Sequence, residues 1–407
     1  RIPFKNFNYQ GNEKVFFLGD SVTFGVGVKE EDSFVGIYRK NFDALDPISR
    51  ALGFNYQAKV HLSDKKQPLS LKIFIKKMKN ILNKVSKTLF GSLSAMTLLM
   101  MTFPIEAFAK PKKITVGYLN LVNAQLVTKN LGLIQKEMPG VEVEHIKVGG
   151  GGDMLRAIAA KQVDFGGLGN PPTAIGVTRK LPIDGIMVLN MLDFVEAMVV
   201  RTDANIKSFK DLKGKTVAAP FGSTTHYLLL QALADEGIDP SSMTILDLRP
   251  NDIAAAWARG DLDAAWFWEP NLDKAVKRGG NIFMTSGIME KRGYPTWDVG
   301  VVMKSFAKKY PEYVEKFVKA ECAGIDFWIN NPAKTAKIIA EELSLDLEDA
   351  TRMMKGTEMV PCKKQLTSQY MGTSDDIGGF ADTLVKTSKF LVSQKRLPKQ
   401  LKRKDYE

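Results

Sequence analysis

The sequence predicts an α/β protein, and two observations carry that prediction. From Lys113 to Met303, β-prone runs alternate with helices of 3.6-residue apolar spacing. Several of those strands end in Pro, Gly, Ser or Thr directly before a helix begins. Such alternation implies parallel sheets with ligands at the carboxyl ends of the strands. Beyond Met303 the pattern becomes helical, with apolar periodicity over Tyr313–Ile329, Ala333–Leu343 and Phe380–Val392.

In chain order, Lys113–Asn120 and Val141–Val148 read as strands, the second with period-two alternation. Gly149 to Gly152 then turn into a helix from Asp153 to Ala160. No further glycine follows at the spacing of a dinucleotide-binding turn, so the run reads as a turn that lets the helix pack closely. The strand Val163–Asn170 runs into Pro171-Pro172-Thr173, a helix start with Asn170 and Thr173 as polar groups. After the strand Ile186–Asn190, the extended run Glu196–Arg201 leads into a second β-α unit, and Asp298–Met303 leads out of it. Within that unit, Thr216–Ala219 ends at Pro220-Phe221-Gly222 and a helix opens on Ser223-Thr224-Thr225-His226-Tyr227. Ser223 is placed to cap it, and the free first-turn N–H groups with the hydroxyls of Thr224 and Thr225 suit an acidic headgroup.

Composition sets bounds. The chain has 407 residues, 44% apolar and 25% charged, with a net charge of +12, which fits two or three soluble domains. Much of the excess base is local: Lys65 to Ile105 holds eight Lys and no acid. Together with a terminal basic run that reads as solvated, this argues against a nucleic-acid partner. Cys322 and Cys362 lack metal-ligand spacing and three His are present, so no metal or cofactor is expected. The two cysteines read as buried or idle thiols, with a disulfide as the alternative if the chain is exported.

The first 109 residues divide in two. Met78 to Lys87 is basic, Thr88–Ile105 is uncharged and mostly apolar, and Ala107-Phe108-Ala109 supplies an A-x-A site. These are the three parts of a secretory signal peptide over residues 78–109, with export to the periplasm as its consequence. With Arg rather than Met at position 1, residues 1–77 read as upstream sequence joined to a chain that starts at Met78. Within them Gly19-Asp20-Ser21 follows an apolar strand and resembles the first block of GDSL/SGNH hydrolases, which implies Ser21 as an ester-attacking nucleophile. The other blocks of that family, including its Asp-x-x-His base, are missing before Lys72, so residues 1–77 read as a partial hydrolase-like fragment and linker.

The segments Ser223 to Tyr227, Ile253 to Asp263, Trp268-Glu269-Pro270 and Pro295 to Val299 occur in that order. On them, residues 110–407 resemble the taurine- and aliphatic-sulfonate-binding receptors of ABC importers. The resemblance implies a two-lobed type II periplasmic-binding-protein fold with two crossing strands, residues 110–197 plus 303–407 forming one lobe and 198–302 the other. It implies a monomeric, non-enzymatic receptor that captures taurine or a close sulfonate in the cleft and delivers it to a membrane permease. Uncharged donors would hold the sulfonate: Thr224 and Thr225 from one lobe, Asn170 and Asn120 from the other, with His226 nearby. Glu196, Glu269 and Asp298 are candidate carboxylates for the amine, and Trp268, Tyr118 and Trp297 candidate rings. The alternatives are an ester hydrolase using Ser21, or a two-lobed binder of another small anion or of a thiamine-precursor pyrimidine.

Overall fold

The computed structural model describes residues 110–373 and 377–406; the export pattern and Ser21 lie outside them. Two sheets form from eleven strands: β1 Lys113–Leu119, β2 Glu142–Val148, β3 Phe165–Gly169, β4 Ile183–Leu192, β5 Glu196–Arg201, β6 Thr216–Ala219, β7 Thr244–Asp247, β8 Ala264–Trp268, β9 Gly280–Thr285, β10 Trp297–Met303 and β11 Thr357–Glu358. The first sheet has the order β11-β4-β10-β3-β1-β2 and the second β7-β6-β8-β5-β9.

The parallel pairing expected from the alternation holds for β1 with β2 and β3, and for β6 with β7 and β8. Besides the two-residue β11, which is antiparallel to β4, two strands run the other way. β10 is antiparallel to both β3 and β4, and β5 is antiparallel to both β8 and β9. Each of these is the strand that follows a passage from the other sheet, and a chain arriving across the gap enters at the end where its new neighbours finish. Helical crossovers enforce parallel pairing only among strands within one sheet.

Burial follows strand parity. On β5, Ala197 and Val199 pack with Ala265 and Phe267 on one face, while Met198 and Val200 pack with Ala264 and Trp266 on the other. All five residues of β8 are buried, as expected where helices cover both faces. In the first lobe, the helix Pro311–Asn330 stacks Phe317 on Phe165 of β3, with ring centroids 3.9 Å apart. The helical tail forms as the periodicity predicts, at Pro311–Asn330, Pro332–Leu343 and Gly379–Ser393. Among the described residues no helix is long and apolar enough to cross a membrane.

The cysteines correct the sequence reading. Cys322 and Cys362 form a disulfide with Cα atoms 5.9 Å apart, because the Pro311–Asn330 helix and the turn Cys362–Gln365 meet in the first lobe. Closing a loop of 40 residues restricts the unfolded chain by about 4 kcal/mol in the chain-entropy account.

Candidate functional site

The chain passes between the sheets after β4 and again after β9, and each passage ends beside a carboxylate: Glu196 opens β5 and Asp298 is the second residue of β10. Strand register sets Glu196 across from Trp268, and Asp298 between Gly169 of β3 and Asn190 of β4. Glu196, Asp298, Trp268 and Thr224 line one cavity. Three helix starts reach the same cavity: Gly151 of the Gly151–Ala159 helix, Gly169 and Pro172 at the start of Asn170–Thr178, and Ser223 at the cap of Thr224–Asp235. Leu119 and Leu121, flanking the turn after β1, supply apolar wall.

The glycines permit the close approach. A Cβ on Gly169 would stand 2.7 Å from the Thr224 methyl of the other lobe, and one on Gly149 would stand 3.0 Å from Arg249. Arg249 reaches back to Asp153 of the first lobe with two bonds of 3.0 Å.

The two carboxylates are buried and have no basic side chain in ion-pair range among the described residues. Glu196 accepts from the Thr224 hydroxyl at 2.5 Å and from the Ser286 hydroxyl at 3.1 Å. Burial pushes its carboxyl up to about 8; Thr224 and Ser286 oppose that, and the charge of Asp298 adds to it. Asp298 accepts from Asn190 Nδ2 at 3.0 Å, and burial, opposed by that bond, pushes it up to about 6. Asn190 is itself fully buried, and its Oδ1 accepts from Asn123 Nδ2 at 3.3 Å. Charged carboxylates held from water without a cation cost several kcal/mol. The site therefore favours either protons or an incoming ammonium. The helix starts carry partial positive charge from unpaired first-turn N–H groups and favour an acidic headgroup. One cavity thus has both polarities.

The other sequence candidates lie outside this lining, each for a local reason. Thr225 is fully buried, its hydroxyl 2.9 Å from Ser223 Oγ within the cap, and Ser223 Oγ accepts from the His226 N–H. His226 stacks on Phe221 and accepts from the Gly222 N–H at 3.4 Å; burial, aided by Arg396, pulls it down to about 3. It is a neutral packing residue. Asn170 donates to the Pro295 carbonyl and to Thr387, and accepts from the Trp297 N–H, so it ties the return passage to the Gly379–Ser393 helix. Glu269 accepts from the Asp273 N–H at 2.8 Å and meets Arg352 at 3.4 Å, facing the Asn271–Val276 helix. Tyr118 sits edge-on to His145, Asn120 is half-buried, and Trp297 packs edge-on to Phe380. The lining residues missed from sequence are Leu119, Leu121, Gly151, Gly167, Gly169 and Pro172. Their signal was the Gly-rich and Pro-rich helix starts, read as ordinary packing at Gly149–Gly152.

Comparison with known proteins extends these findings. A family model described as NMT1/THI5 like matches residues 126–335. The taurine-binding periplasmic protein of Escherichia coli strain K12 is 32% identical over 315 residues, covering 75% of this chain and 95% of that protein. The alkanesulfonate-binding protein SsuA from Xanthomonas axonopodis pv. citri, bound to MOPS, superposes with a TM-score of 0.60 at 20% identity, covering 72% of this chain and 96% of that one. The periplasmic nitrate-binding protein NrtA from Synechocystis PCC 6803 gives 0.56 at 14% identity, covering 71% and 83%. The fold is thus common to receptors named for different anions, and the ligand has to be argued from the cavity.

Proposed function

The chain belongs to the NMT1/THI5-like family, and from that premise we propose that it is an extracytoplasmic receptor which binds taurine or a close aminosulfonate between its two sheets. It carries that ligand to the membrane permease of an ABC importer and makes or breaks no bond in it. The observation that carries this reading is the composition of one cavity. Two buried carboxylates without a cation among the described residues share it with three helix starts, and the one acid in their first turns, Asp153, is paired with Arg156 and Arg249. A small zwitterion answers both halves: its ammonium takes the carboxylate end and its sulfonate the N–H groups. Nitrate offers nothing to the acids, and a diamine offers nothing to the helix starts.

Binding and closure are one event in this scheme. Glu196, Thr224 and Trp268 go with the second sheet, whose first strand opens at Glu196, and Asp298 and Gly151 with the first, which β10 rejoins at Trp297. The lobe boundaries therefore move from 197/198 and 302/303 to the passages that end at Glu196 and Trp297. A ligand gripped by both lobes favours the closed form by its differential affinity for it. Export to the periplasm is supported by the signal pattern at 78–109, by the periplasmic relative and by the disulfide, which suits an oxidising compartment.

Calorimetry on the purified protein tests the ligand. Taurine should bind with micromolar or tighter affinity, ethanesulfonate (which lacks the amine) at least 30-fold more weakly, and nitrate without measurable heat. Equal binding of taurine and ethanesulfonate would remove the carboxylates from recognition and end this assignment.

A further inference from the structure

We propose that the two carboxylates share one negative charge at neutral pH: Asp298 is the ionised member that meets the ligand's ammonium, and Glu196 keeps its proton. This rests on the receptor reading above and deepens it, assigning opposite jobs to two acids in one cavity.

The hydrogen-bond partners distinguish them. Asp298 is faced by an amide whose orientation is fixed. Asn190 Oδ1 is occupied by Asn123 Nδ2, so Asn190 can present only an N–H, at 3.0 Å, to Asp298. An N–H that cannot turn round favours a carboxylate. Glu196 is faced only by hydroxyls, Thr224 at 2.5 Å and Ser286 at 3.1 Å. A hydroxyl donates to a carboxylate or accepts from a carboxylic acid with equal ease. Nothing around Glu196 therefore requires it to be charged, and its full burial and the neighbouring Asp298 disfavour the charge. The remaining acid of that strand end, Glu269, is turned to Asp273 and Arg352, and no Lys, Arg or His faces either cavity acid in ion-pair range among the described residues.

Charge balance points the same way. With both acids ionised, a bound zwitterion would leave two uncompensated negative charges in a closed site. With one ionised, the ammonium neutralises it and the sulfonate is left to the three helix starts.

The proton also changes what Thr224 does. When Glu196 is ionised, Thr224 spends its hydroxyl hydrogen on Glu196. When Glu196 is protonated it donates to Thr224 Oγ1, and the Thr224 hydrogen is released towards the cavity it lines. A neutral glutamic acid thereby makes the threonine a donor for the sulfonate. The ligand class that fits has one cationic group and one strong acid.

The test uses the full chain. In taurine calorimetry at pH 7, Asp298→Asn should lose at least 100-fold and Glu196→Gln no more than about tenfold, since Gln can also donate to Thr224. The reverse ranking overturns the assignment. Raising the pH through 8 should weaken wild-type binding relative to Glu196→Gln in the same buffers, by about tenfold. A constant ratio overturns the role given to the proton. A ligand-free readout separates this inference from the functional one: the infrared spectrum at pH 7 should contain a buried carboxylic-acid C=O band that Glu196→Gln removes. That band without taurine binding upholds the charge assignment and sinks the functional reading; taurine binding without the band does the opposite.

Discussion

Glu196 and Glu269 stand one position apart across the β5–β8 ladder, since Glu196 pairs with Trp268. Both are buried, and burial raises the carboxyl of each, to about 8 and about 7. Their surroundings differ in kind. Glu269 accepts a backbone N–H and faces Arg352 of the first lobe, which also pairs with Asp273 and with Asp349 of its own helix. Glu196 has two hydroxyls, a carboxylate neighbour and no cation among the described residues. Burial marks both glutamates equally; what separates a brace from a binding group is whether the protein supplies the counter-charge itself.

Four measurements press on that contrast. The largest effect should come from Asp298→Ala, which deletes the acid backed by Asn190. Taurine affinity measured by calorimetry should fall at least 100-fold, about 2.7 kcal/mol, with the far-UV spectrum retained. Next is the pH dependence of the ligand-free protein. Glu196 has a folded value near 8 against 4.5 in the unfolded chain, so the fold is penalised progressively as pH rises from about 4.5 to 8. Thermal melts should show the midpoint falling over that window, and Glu196→Gln should recover roughly 2 kcal/mol at pH 8. The slope left in that variant should end near pH 7, where Glu269, Glu315 and Glu321 finish titrating. An unchanged slope would mean that Glu196 is not held from solvent.

A smaller loss is expected on the closing motion. Gly169→Ala puts a methyl against Thr224 of the facing lobe, and taurine should bind about tenfold more weakly, about 1.4 kcal/mol, chiefly through faster release seen by stopped flow. The smallest effect belongs to the brace. Arg352→Met leaves Glu269 and Asp273 without their arginine, but the guanidinium is half-exposed, so the expected cost is about 1 kcal/mol in denaturant unfolding. Taurine affinity should shift less than threefold. A larger shift there would make Glu269 part of the binding site and erase the contrast.

Much of this architecture was legible locally. Strand, turn and capped helix are consecutive at Thr216–Asp235, and the Ser223 cap and the Pro171 helix start form where the residue types place them. Glu196 and Asp298 stood out because each begins an extended run after a break in the β-α rhythm. The remaining features depend on distant partners. Glu269 is assigned to bracing only by an arginine 83 positions away, Asp298 is oriented by an asparagine 108 positions before it, and the cysteines pair across 40. Asn170 looked like a ligand donor because it opens a helix, yet Thr387, on a helix far along the chain, takes its amide. Gly151 carried no side chain to argue from; its contribution to the cavity is a backbone position.

The antiparallel placement of β10 has a consequence for how the molecule is made. All five strands of the second sheet lie between Glu196 and Thr285, without interruption. The first sheet is different: β10 lies between β3 and β4, so these two cannot be joined until residue 303 has been synthesised. On the ribosome the inserted half can mature while the amino-terminal half waits with two open ladders. The segment translated later acts as the keystone of the portion translated first, and a chain truncated anywhere before Trp297 would leave β3 and β4 without the strand that joins them.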